Sequence, residues 1–259
     1  MYISYLKIPE ILGIKKGDII LLSSDVSLLM YAAKKNNEEF SMKQLIDAFL
    51  KAIGSEGTLL VPVYNWGFCK GEPFNWRETK SETGMLGQYV LSRSDFKRTL
   101  HPIYSFAVAG KDKDLLCSIT NKDSFGLDSP FAYLHKNKGK NIMLDVPYQY
   151  CFTFSHYVEQ VSGMVSYRYN KEFTALYTGP DNILQTKTYT MFVRDLDLDV
   201  VNTGYEMEKL LIKKGAMQLH VINGIYLRSV DLDEAFHWIS KDIKENRSRK
   251  ICKYKGQDE

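Results

Sequence analysis

The 259-residue sequence has no apolar run near the roughly 20 residues that a membrane-spanning helix requires. Its longest apolar runs, such as residues 19–22 (IILL), have the length of a buried strand. Residues 1–7 also lack the basic region, apolar core and small-residue cleavage site of a secretory signal. We therefore expect a cytoplasmic protein without membrane contact.

Several motifs of common enzyme classes are also missing. The four cysteines (Cys69, Cys117, Cys151 and Cys252) stand far apart without a CxxC pair, so we expect free thiols and no metal site. The sequence has no GxGxxG, GxxxxGK[ST], GxSxG or HExxH motif. These absences argue against dinucleotide-binding, P-loop, α/β-hydrolase and zincin proteins.

The composition is that of an ordinary globular chain, with 44% hydrophobic and 25% charged residues. Residues 241–259 form a basic C-terminal tail with seven basic and four acidic side chains, whereas residues 1–240 hold 27 of each sign. Such a segment is more often a solvated helix end than a grip on nucleic acid. We expect no nucleic-acid partner.

Strands and helices alternate along the chain. Strands are predicted at residues 18–22, 58–63, 106–108, 141–146 and 186–194, and helices at 42–53, 83–91, 153–161 and 232–245. Ser41 and Gln44 form a capping box for the helix that Gly54 ends. Asn202 or Thr203 is predicted to cap a further helix.

The dipeptide at residues 223–224 (NG) predicts a hairpin between two strands. A hairpin makes the sheet mixed, not purely parallel. We therefore predict a single α/β domain over residues 1–259, with a central mixed sheet flanked by helices.

The histidines His101 and His156 stand in the most informative contexts. On a helix, Thr153, His156 and Glu159 are spaced by three and share one face. A carboxylate there would orient an imidazole that accepts a proton, as a general base does. Taken alone, this spacing is more often that of a surface ion pair.

Six ordered segments carry a resemblance to a known family. They are residues 22–27 (LSSDVS), 54–62 (GSEGTLLVP), 79–86 (TKSETGML), 98–105 (RTLHPIYS), 125–130 (FGLDSP) and 153–159 (TFSHYVE). Together they resemble the aminoglycoside N3-acetyltransferase-like (antibiotic NAT) family of acyl-CoA-dependent N-acyltransferases, which is distinct from the GNAT fold. The similarity covers about residues 15 to 250.

The resemblance implies roles for residues of these segments. His156 would be the general base, Glu159 would stabilise its imidazolium, and Ser81 with neighbouring amides would stabilise the oxyanion. Acetyl-CoA or another short acyl-CoA would be the co-substrate, bound by Ser23, Ser24, Ser27, Ser105, Phe125 and Ser129. The acceptor would contact Tyr64, Trp66, Thr153 and Arg168. Transfer is expected to be direct, without an acyl-enzyme on Cys151.

The sequence departs from the family pattern at three positions, and two of them, Tyr104 and Tyr150, are expected close to where the acceptor binds. Leu22, Tyr104 and Tyr150 stand where the family often has His, His and Asp. Residues 167–173 and 189–195 are more similar to the branch that acts on nucleotide-linked 4-amino-4,6-dideoxy sugars for surface polysaccharides. A polycationic aminoglycoside also favours an acidic surplus, which residues 1–240 lack. We therefore expect an amino-sugar acceptor linked to a nucleotide.

Three alternatives stay open. The first is an aminoglycoside 3-N-acetyltransferase that confers antibiotic resistance. The second is a non-catalytic CoA-binding protein, and the third is a hydrolase that uses Ser81 or Cys151 with His156. We expect a monomer or a homodimer.

Overall fold

The computed structural model describes residues 1–254 as three layers, with helices on both faces of a central sheet. The strands are β1 (Ile19–Ser24), β2 (Thr58–Pro62), β3 (Phe74–Asn75), β4 (Lys97–Arg98), β5 (Phe106–Gly110), β6 (Lys140–Leu144), β7 (Arg168–Thr178), β8 (Leu184–Arg194), β9 (Val200–Asn202), β10 (Met217–Ile222), β11 (Ile225–Asp231) and β12 (Cys252–Tyr254). The helices are α1 (Ile8–Ile11), α2 (Ser27–Lys35), α3 (Met42–Ile53), α4 (Gly84–Val90), α5 (Lys113–Cys117), α6 (Pro130–Lys136), α7 (Tyr148–Cys151), α8 (Phe154–Ser162), α9 (Tyr205–Lys213) and α10 (Leu232–Asn246). Two 3-10 turns lie at Tyr5–Lys7 and Gly67–Lys70.

The central sheet has seven strands in the order β10-β11-β6-β1-β2-β5-β4. Strands β6, β1 and β2 are parallel, β11 and β5 pair antiparallel with β6 and β2, and β10 and β4 pair antiparallel with β11 and β5. The predicted α/β fold with a mixed sheet is therefore confirmed. From β1 the chain continues to β2 on one side and reaches β6 on the other, so the carboxyl ends of these strands form a switch point where α/β proteins bind ligands.

Alternation along the central strands divides the core into two parts. Leu21, Leu60 and Met143 pack on one face against α6, α8 and α10, whereas Ile20 and Leu59 pack on the other against α2 and α3. Successive side chains of a strand point to opposite faces, so a strand covered on both sides reads as an unbroken apolar run. This explains the IILL run of β1.

The start of α3 differs in one detail from the predicted capping box. The Ser41 hydroxyl accepts a hydrogen bond from the Gln44 N–H, as predicted. The Gln44 side chain does not accept from the Ser41 N–H, however, because the Tyr5 hydroxyl lies between the two groups. This hydroxyl accepts from the Ser41 N–H at 3.0 Å and donates to Gln44 Oε1 at 2.9 Å.

The predicted cap of α9 is wrong. Asn202 belongs to β9, where it pairs with Cys252, and the N-cap residue is Gly204 with φ of 63°. This backbone conformation favours glycine, and a Cβ at Gly204 would come within 3.2 Å of the Tyr148 ring. Because the strand uses Asn202 and the turn needs a glycine, neither Asn202 nor Thr203 caps the helix.

A long hairpin stands beside the central sheet. Strands β7 and β8 pair antiparallel from Arg168 with Arg194 to Thr178 with Leu184, and β3 pairs with β7 to complete a three-stranded sheet. The prediction of residues 186–194 as a strand is confirmed, whereas no strand was predicted at β7. The open end of the hairpin, where residues 167–168 lead into β7, contacts α8 and so reaches the site described below.

The basic segment at residues 241–259 is part of this architecture as far as Tyr254. Lys241 and Lys244 lie on α10, and β12 returns to pair with β9. Lys255, Asp258 and Glu259 lie outside the described residues. Within residues 1–254 no helix is both long and apolar enough to cross a membrane.

Candidate active site

The main cavity has a volume of about 540 Å³ and lies at the carboxyl ends of β1, β2 and β6. Its position follows from the switch point at β1, where loops on either side diverge and leave a crevice. The lining includes Ser23, Ser24, Asp25, Ser27, Tyr64, Trp66, Thr83, Tyr104, Tyr150, Cys151, Thr153 and His156. Of these, Asp25 contributes a carboxylate and His156 an imidazole.

His156 lies at one end of this cavity on α8, one turn before Glu159. Its Nδ1 is 2.7 Å from Glu159 Oε2. The His156 side chain is 22% exposed, whereas the Glu159 side chain is fully buried. The imidazole therefore faces the cavity with the carboxylate behind it, which is the arrangement that the helical spacing predicted.

The protonation states follow from these contacts. Burial raises the pKa of Glu159, but hydrogen bonding and attraction from His156, Arg168 and Tyr167 outweigh it and lower the pKa overall. An ionised carboxylate only accepts hydrogen bonds, so the His156 proton sits on Nδ1 and its Nε2 carries the free lone pair. Burial and the Arg168 charge lower the pKa of His156, which keeps the imidazole neutral near pH 7. A neutral imidazole of this tautomer is able to accept a proton at Nε2.

Two adjacent residues of the hairpin hold the same carboxylate. The Tyr167 hydroxyl donates to Glu159 Oε1 at 2.7 Å. The Arg168 Nε lies 3.0 Å from Glu159 Oε2, and its Nη1 donates to the Phe192 carbonyl oxygen at 3.2 Å. The Arg168 N–H does not point along the line to the carboxylate, so this contact is an ion pair without an aligned hydrogen bond. A buried carboxylate needs such hydrogen bonds and opposite charges to offset the free energy of removing it from water.

A second depression, the hairpin groove, has a volume of about 660 Å³ and meets the main cavity at Tyr104 and His156, which line both. The rest of its lining comes from the hairpin, the segment after it and β9, and includes Arg168, Tyr169, Lys171, Phe173, Phe192, Arg194, Asp195 and Asp197. The two spaces therefore converge on one imidazole. This geometry suits a reaction between two bound substrates.

Comparison with known proteins decides the family. A family model described as aminoglycoside 3-N-acetyltransferase matches residues 31–243, more than half of the chain. The chain belongs to this family. It is an acetyltransferase family, which confirms the N-acyltransferase prediction. A relative from Micromonospora chalcea, aminoglycoside N(3)-acetyltransferase IX, is 24% identical over 209 residues that cover 72% of this chain and 69% of the relative.

Several solved structures share the fold. Aminoglycoside acetyltransferase AAC(3)-Xa superimposes with a TM-score of 0.77 at 19% identity, covering 93% of this chain and 92% of that one. The YokD protein from Bacillus subtilis gives a TM-score of 0.74 at 19% identity over 94% and 98% of the two chains. AAC-IIIb, solved with CoASH, gives 0.74 at 17% identity over 93% and 95%. At such identities the likeness shows the fold alone.

The structure brings many of the predicted site residues to the two spaces. Of the six residues predicted to bind the co-substrate, Ser23, Ser24 and Ser27 line the main cavity. Of the four predicted acceptor contacts, Tyr64, Trp66 and Thr153 line the main cavity and Arg168 lines the hairpin groove. The departures Tyr104 and Tyr150 also line the main cavity, beside His156. The family pattern therefore differs within the site itself.

Five predicted site residues are missing from the lining that residues 1–254 provide: Glu159, which lies behind His156, and Ser81, Ser105, Phe125 and Ser129. Ser105 is buried, donating to the Val63 carbonyl oxygen and accepting from Arg98 Nε, both at 2.9 Å. Ser129 caps α6. Phe125 is buried with its ring tilted edgewise to the His156 ring, at 5.6 Å between centroids. The Ser105 and Ser129 hydroxyl groups are therefore used inside the fold, and Phe125 packs against the His156 ring.

Ser81 is engaged within its own loop. Its hydroxyl contacts the Thr83 hydroxyl at 2.8 Å and accepts from the Thr83 N–H, while its own N–H donates to Gln88 Oε1. Thr83, in turn, lines the main cavity and donates to the Pro62 carbonyl oxygen at 2.6 Å. Sequence reasoning missed Thr83, although it belongs to the same family-like segment as Ser81. The hydrogen bonds between them therefore tie the position of Ser81 to that of Thr83.

Cys151 lines the main cavity, but its thiol is directed elsewhere. The Sγ donates to the Pro147 carbonyl oxygen at 3.2 Å, and burial raises the pKa of the thiol to about 12. The thiolate, which is the nucleophilic form, is therefore scarce at neutral pH. These contacts do not favour an acyl-enzyme on Cys151.

Replacing Cys151 by serine should therefore keep kcat within a few-fold of the wild-type value. Serine is the smaller isostere and still donates to a carbonyl oxygen. Steady-state kinetics with acetyl-CoA, together with mass spectrometry of the quenched enzyme, checks this. An acetylated Cys151 peptide, accompanied by loss of most activity in Cys151→Ser, would overturn the direct-transfer mechanism.

His101 has a structural position beneath Tyr104. It is buried, and its Nδ1 accepts from the backbone N–H groups of Ile103 and Tyr104. Burial lowers the pKa of His101 to about 3. In the unfolded chain the imidazole titrates near pH 6.5, so between pH 6.5 and 3 the unfolded state binds a proton that the folded state rejects.

The free energy of unfolding should consequently fall as the pH drops below 6.5. In His101→Asn, whose side-chain oxygen is able to accept the same N–H groups, we expect this loss to be smaller by on the order of 2 kcal/mol between pH 6.5 and 4. Urea unfolding at several pH values measures it, with His220→Asn on the edge strand β10 as the control. Equal pH dependence in wild type and His101→Asn would refute the assignment.

Proposed function

We propose that the protein transfers an acetyl group from acetyl-CoA to an amine of an amino sugar, with His156 as the general base. The observation that carries this proposal is the His156 imidazole at the junction of two cavities, with Nδ1 tied to a buried carboxylate. Family membership supports acetyl transfer. The joined spaces support a ternary complex in which the thioester and the amine meet at His156.

The chemistry assigns one task to each group. The amine nitrogen attacks the thioester carbonyl carbon, and His156 Nε2 takes the proton that the nitrogen loses as the C–N bond forms. The C–S bond then breaks, and the imidazolium returns the proton to the sulfur, giving an N-acetyl amine and CoASH. Glu159 stabilises the intermediate imidazolium. Backbone amides near Thr83 and the Ser81 loop are the proposed donors to the oxyanion.

We assign acetyl-CoA to the main cavity. Its lining includes Ser23, Ser24 and Ser27, whose small polar side chains and backbone groups suit the pantetheine amides and phosphates. The relative AAC-IIIb was solved with CoASH and has the same fold, which supports this assignment. No group of three or more His, Cys, Asp or Glu side chains that could hold a metal occurs among residues 1–254.

Enlarging a side chain in the cavity should block this binding. Ser24→Phe is expected to raise the Kd for acetyl-CoA at least about tenfold, because the ring occupies space that the thioester arm needs. Isothermal titration calorimetry measures the change, and Ser118→Phe, on an exposed turn, is the matched control. Unchanged acetyl-CoA binding in Ser24→Phe would move the co-substrate out of the main cavity.

For the acceptor, an aminoglycoside is the first candidate. The curated relative is named as an aminoglycoside N(3)-acetyltransferase, and another structural relative, AAC-VIa, was solved bound to sisomicin. The comparisons thus favour this class over the nucleotide-linked sugar that the sequence favours. Asp25, Asp195 and Asp197 line the two spaces and are available to cationic amines.

A nucleotide-linked amino sugar is the second candidate, because the groove also contains unpaired cations. Within residues 1–254, Lys171 and Arg194 have no carboxylate within ion-pair distance. The rings of Tyr169 and Phe192 lie in the same groove. Cations suit a diphosphate and aromatic faces suit a base, so this lining fits an anionic acceptor.

Kinetics with both acceptor classes tests the proposal. The kcat/KM for kanamycin and gentamicin is compared with that for dTDP-4-amino-4,6-dideoxyglucose, each with acetyl-CoA. The paired replacement Lys171→Gln with Arg194→Gln should lower kcat/KM for the nucleotide sugar and leave that for a polyamine unchanged or higher. Preference for kanamycin would exclude the second candidate. Failure of every amino sugar to accept the acetyl group would contradict the proposed function.

A further inference from the structure

Arg168 contacts Glu159 of the His156–Glu159 pair directly, which a residue that only binds substrate would not need to do. Its side chain is 6% exposed and is held by the Phe192 carbonyl oxygen and the Glu159 carboxylate. Arg168 Nε and His156 Nδ1 lie 3.0 and 2.7 Å from the same atom, Glu159 Oε2. The two nitrogens are therefore no more than about 6 Å apart, and Arg168 Nε is shielded from water.

The carboxylate by itself would work against a general base. A buried carboxylate next to an imidazole favours the imidazolium, which has no lone pair to accept a proton. A guanidinium paired with the same carboxylate oxygen repels a second positive charge and so disfavours the imidazolium. Arg168 thus supplies the countercharge that Glu159 needs, and His156 is left neutral.

From this geometry we infer that Arg168 is a positioning residue that keeps His156 unprotonated at neutral pH, in the form that accepts a proton from the amine. The inference rests on the proposed function for its catalytic meaning, but the electrostatic claim stands on the contacts alone. Tyr167, which donates to the other oxygen of Glu159, is neutral and supplies no positive charge. The positive charge beside Glu159 therefore has to come from an arginine or a lysine at position 168.

Other titratable groups line the two spaces that meet at His156. On the main-cavity side they are Asp25, Tyr64, Tyr104, Tyr150 and Cys151, and on the groove side Tyr169, Lys171, Arg194, Asp195 and Asp197. Within residues 1–254, the charged groups whose interactions shift the His156 pKa are Glu159, which raises it, and Arg168, which lowers it together with burial. Removing Arg168 should therefore raise the pKa of His156 by about one unit or more.

The test is an NMR titration of the histidine side chains in the intact protein, with His156→Asn to assign the His156 signal. In Arg168→Met the His156 pKa should rise by about one unit or more, whereas Arg168→Lys should stay within about half a unit of wild type. Tyr167→Phe is the matched control, because it removes a contact to the same carboxylate without removing a positive charge. Its pKa change should be smaller than that of Arg168→Met.

Arg168→Met leaves Glu159 buried without its cation and is expected to lose stability. The double variant Glu159→Gln with Arg168→Met avoids this problem, because both charges are removed together. It should titrate at a higher pH than Glu159→Gln alone. An unchanged His156 pKa in both comparisons would overturn the inference.

Kinetics separates this inference from the proposed function. If the wild type acetylates an amino sugar, the acid limb of kcat/KM should move to higher pH in Arg168→Met and stay in place in Arg168→Lys. A loss of rate that is equal at all pH values would assign Arg168 a purely structural role. If no amine is acetylated, the NMR titration still decides the electrostatic claim, while the proposed function fails by itself.

Discussion

Replacing His156 by asparagine should lower kcat at least about 100-fold while the Kd for acetyl-CoA stays nearly unchanged. The reason is that proton transfer and co-substrate binding are assigned to different parts of the site. The imidazole stands at the end of the main cavity, where it would meet the amine and the thioester, whereas the serines assigned to the co-substrate lie at the carboxyl end of β1. Asparagine fills similar space but accepts no proton from an amine near neutral pH.

Two measurements support the interpretation of that variant. Single-turnover acetyl transfer isolates the chemical step, and calorimetry reports acetyl-CoA binding. His220→Asn on the edge strand β10 provides the control for loss of an imidazole remote from the cavity and should retain wild-type kcat. A His156→Asn enzyme within a few-fold of wild type would end the general-base assignment.

Replacing Glu159 by glutamine should also have a large effect, on both turnover and stability. The amide keeps the shape of the side chain but removes the negative charge, so the imidazolium that forms during transfer loses its stabilising partner. The variant also leaves Arg168 buried beside a neutral group, and breaking a buried ion pair typically costs about 3–5 kcal/mol. We expect kcat at pH 7 to fall about 100-fold or more, and the free energy of unfolding to fall by several kcal/mol.

The control for Glu159→Gln is Asp18→Asn. Asp18 pairs with Lys140 at 2.7 Å in a partly buried ion pair at the opposite end of β1. Removing that pair should cost some stability without changing kcat. Urea unfolding and steady-state kinetics on both variants separate the two effects. If Glu159→Gln kept wild-type turnover, the carboxylate would have no part in the proton transfer.

The parts of the site that depend on local sequence were predictable. The spacing of His156 and Glu159 on one helix face follows from helix geometry, and the position of Ser23 and Ser24 follows from the apolar run that ends before them. The NG turn likewise predicted the hairpin of β10 and β11, which the structure confirms. In each of these cases neighbouring residues determine the outcome.

The parts that depend on distant pairing were not predictable. Arg168 meets Glu159 because the β7–β8 hairpin packs its first residues against α8, and no local pattern encodes that approach. The charged and exposed side chains at the start of β7 also lack the apolar alternation of a half-buried strand, so its partner β8 was predicted alone. Ser105 and Ser129 follow the family pattern in sequence, yet their hydroxyl groups are used inside the fold.

The most direct measurement of the central claim is acetyl-CoA turnover with defined amines, followed by the release of CoASH and by the mass of the acceptor. The proposed mechanism predicts that CoASH release by the wild type depends on an amino sugar, and that the sugar gains one acetyl group on nitrogen. His156→Asn should lose both signals together while still binding acetyl-CoA. CoASH release that needs no amine, or acetyl transfer that persists in His156→Asn, would contradict it.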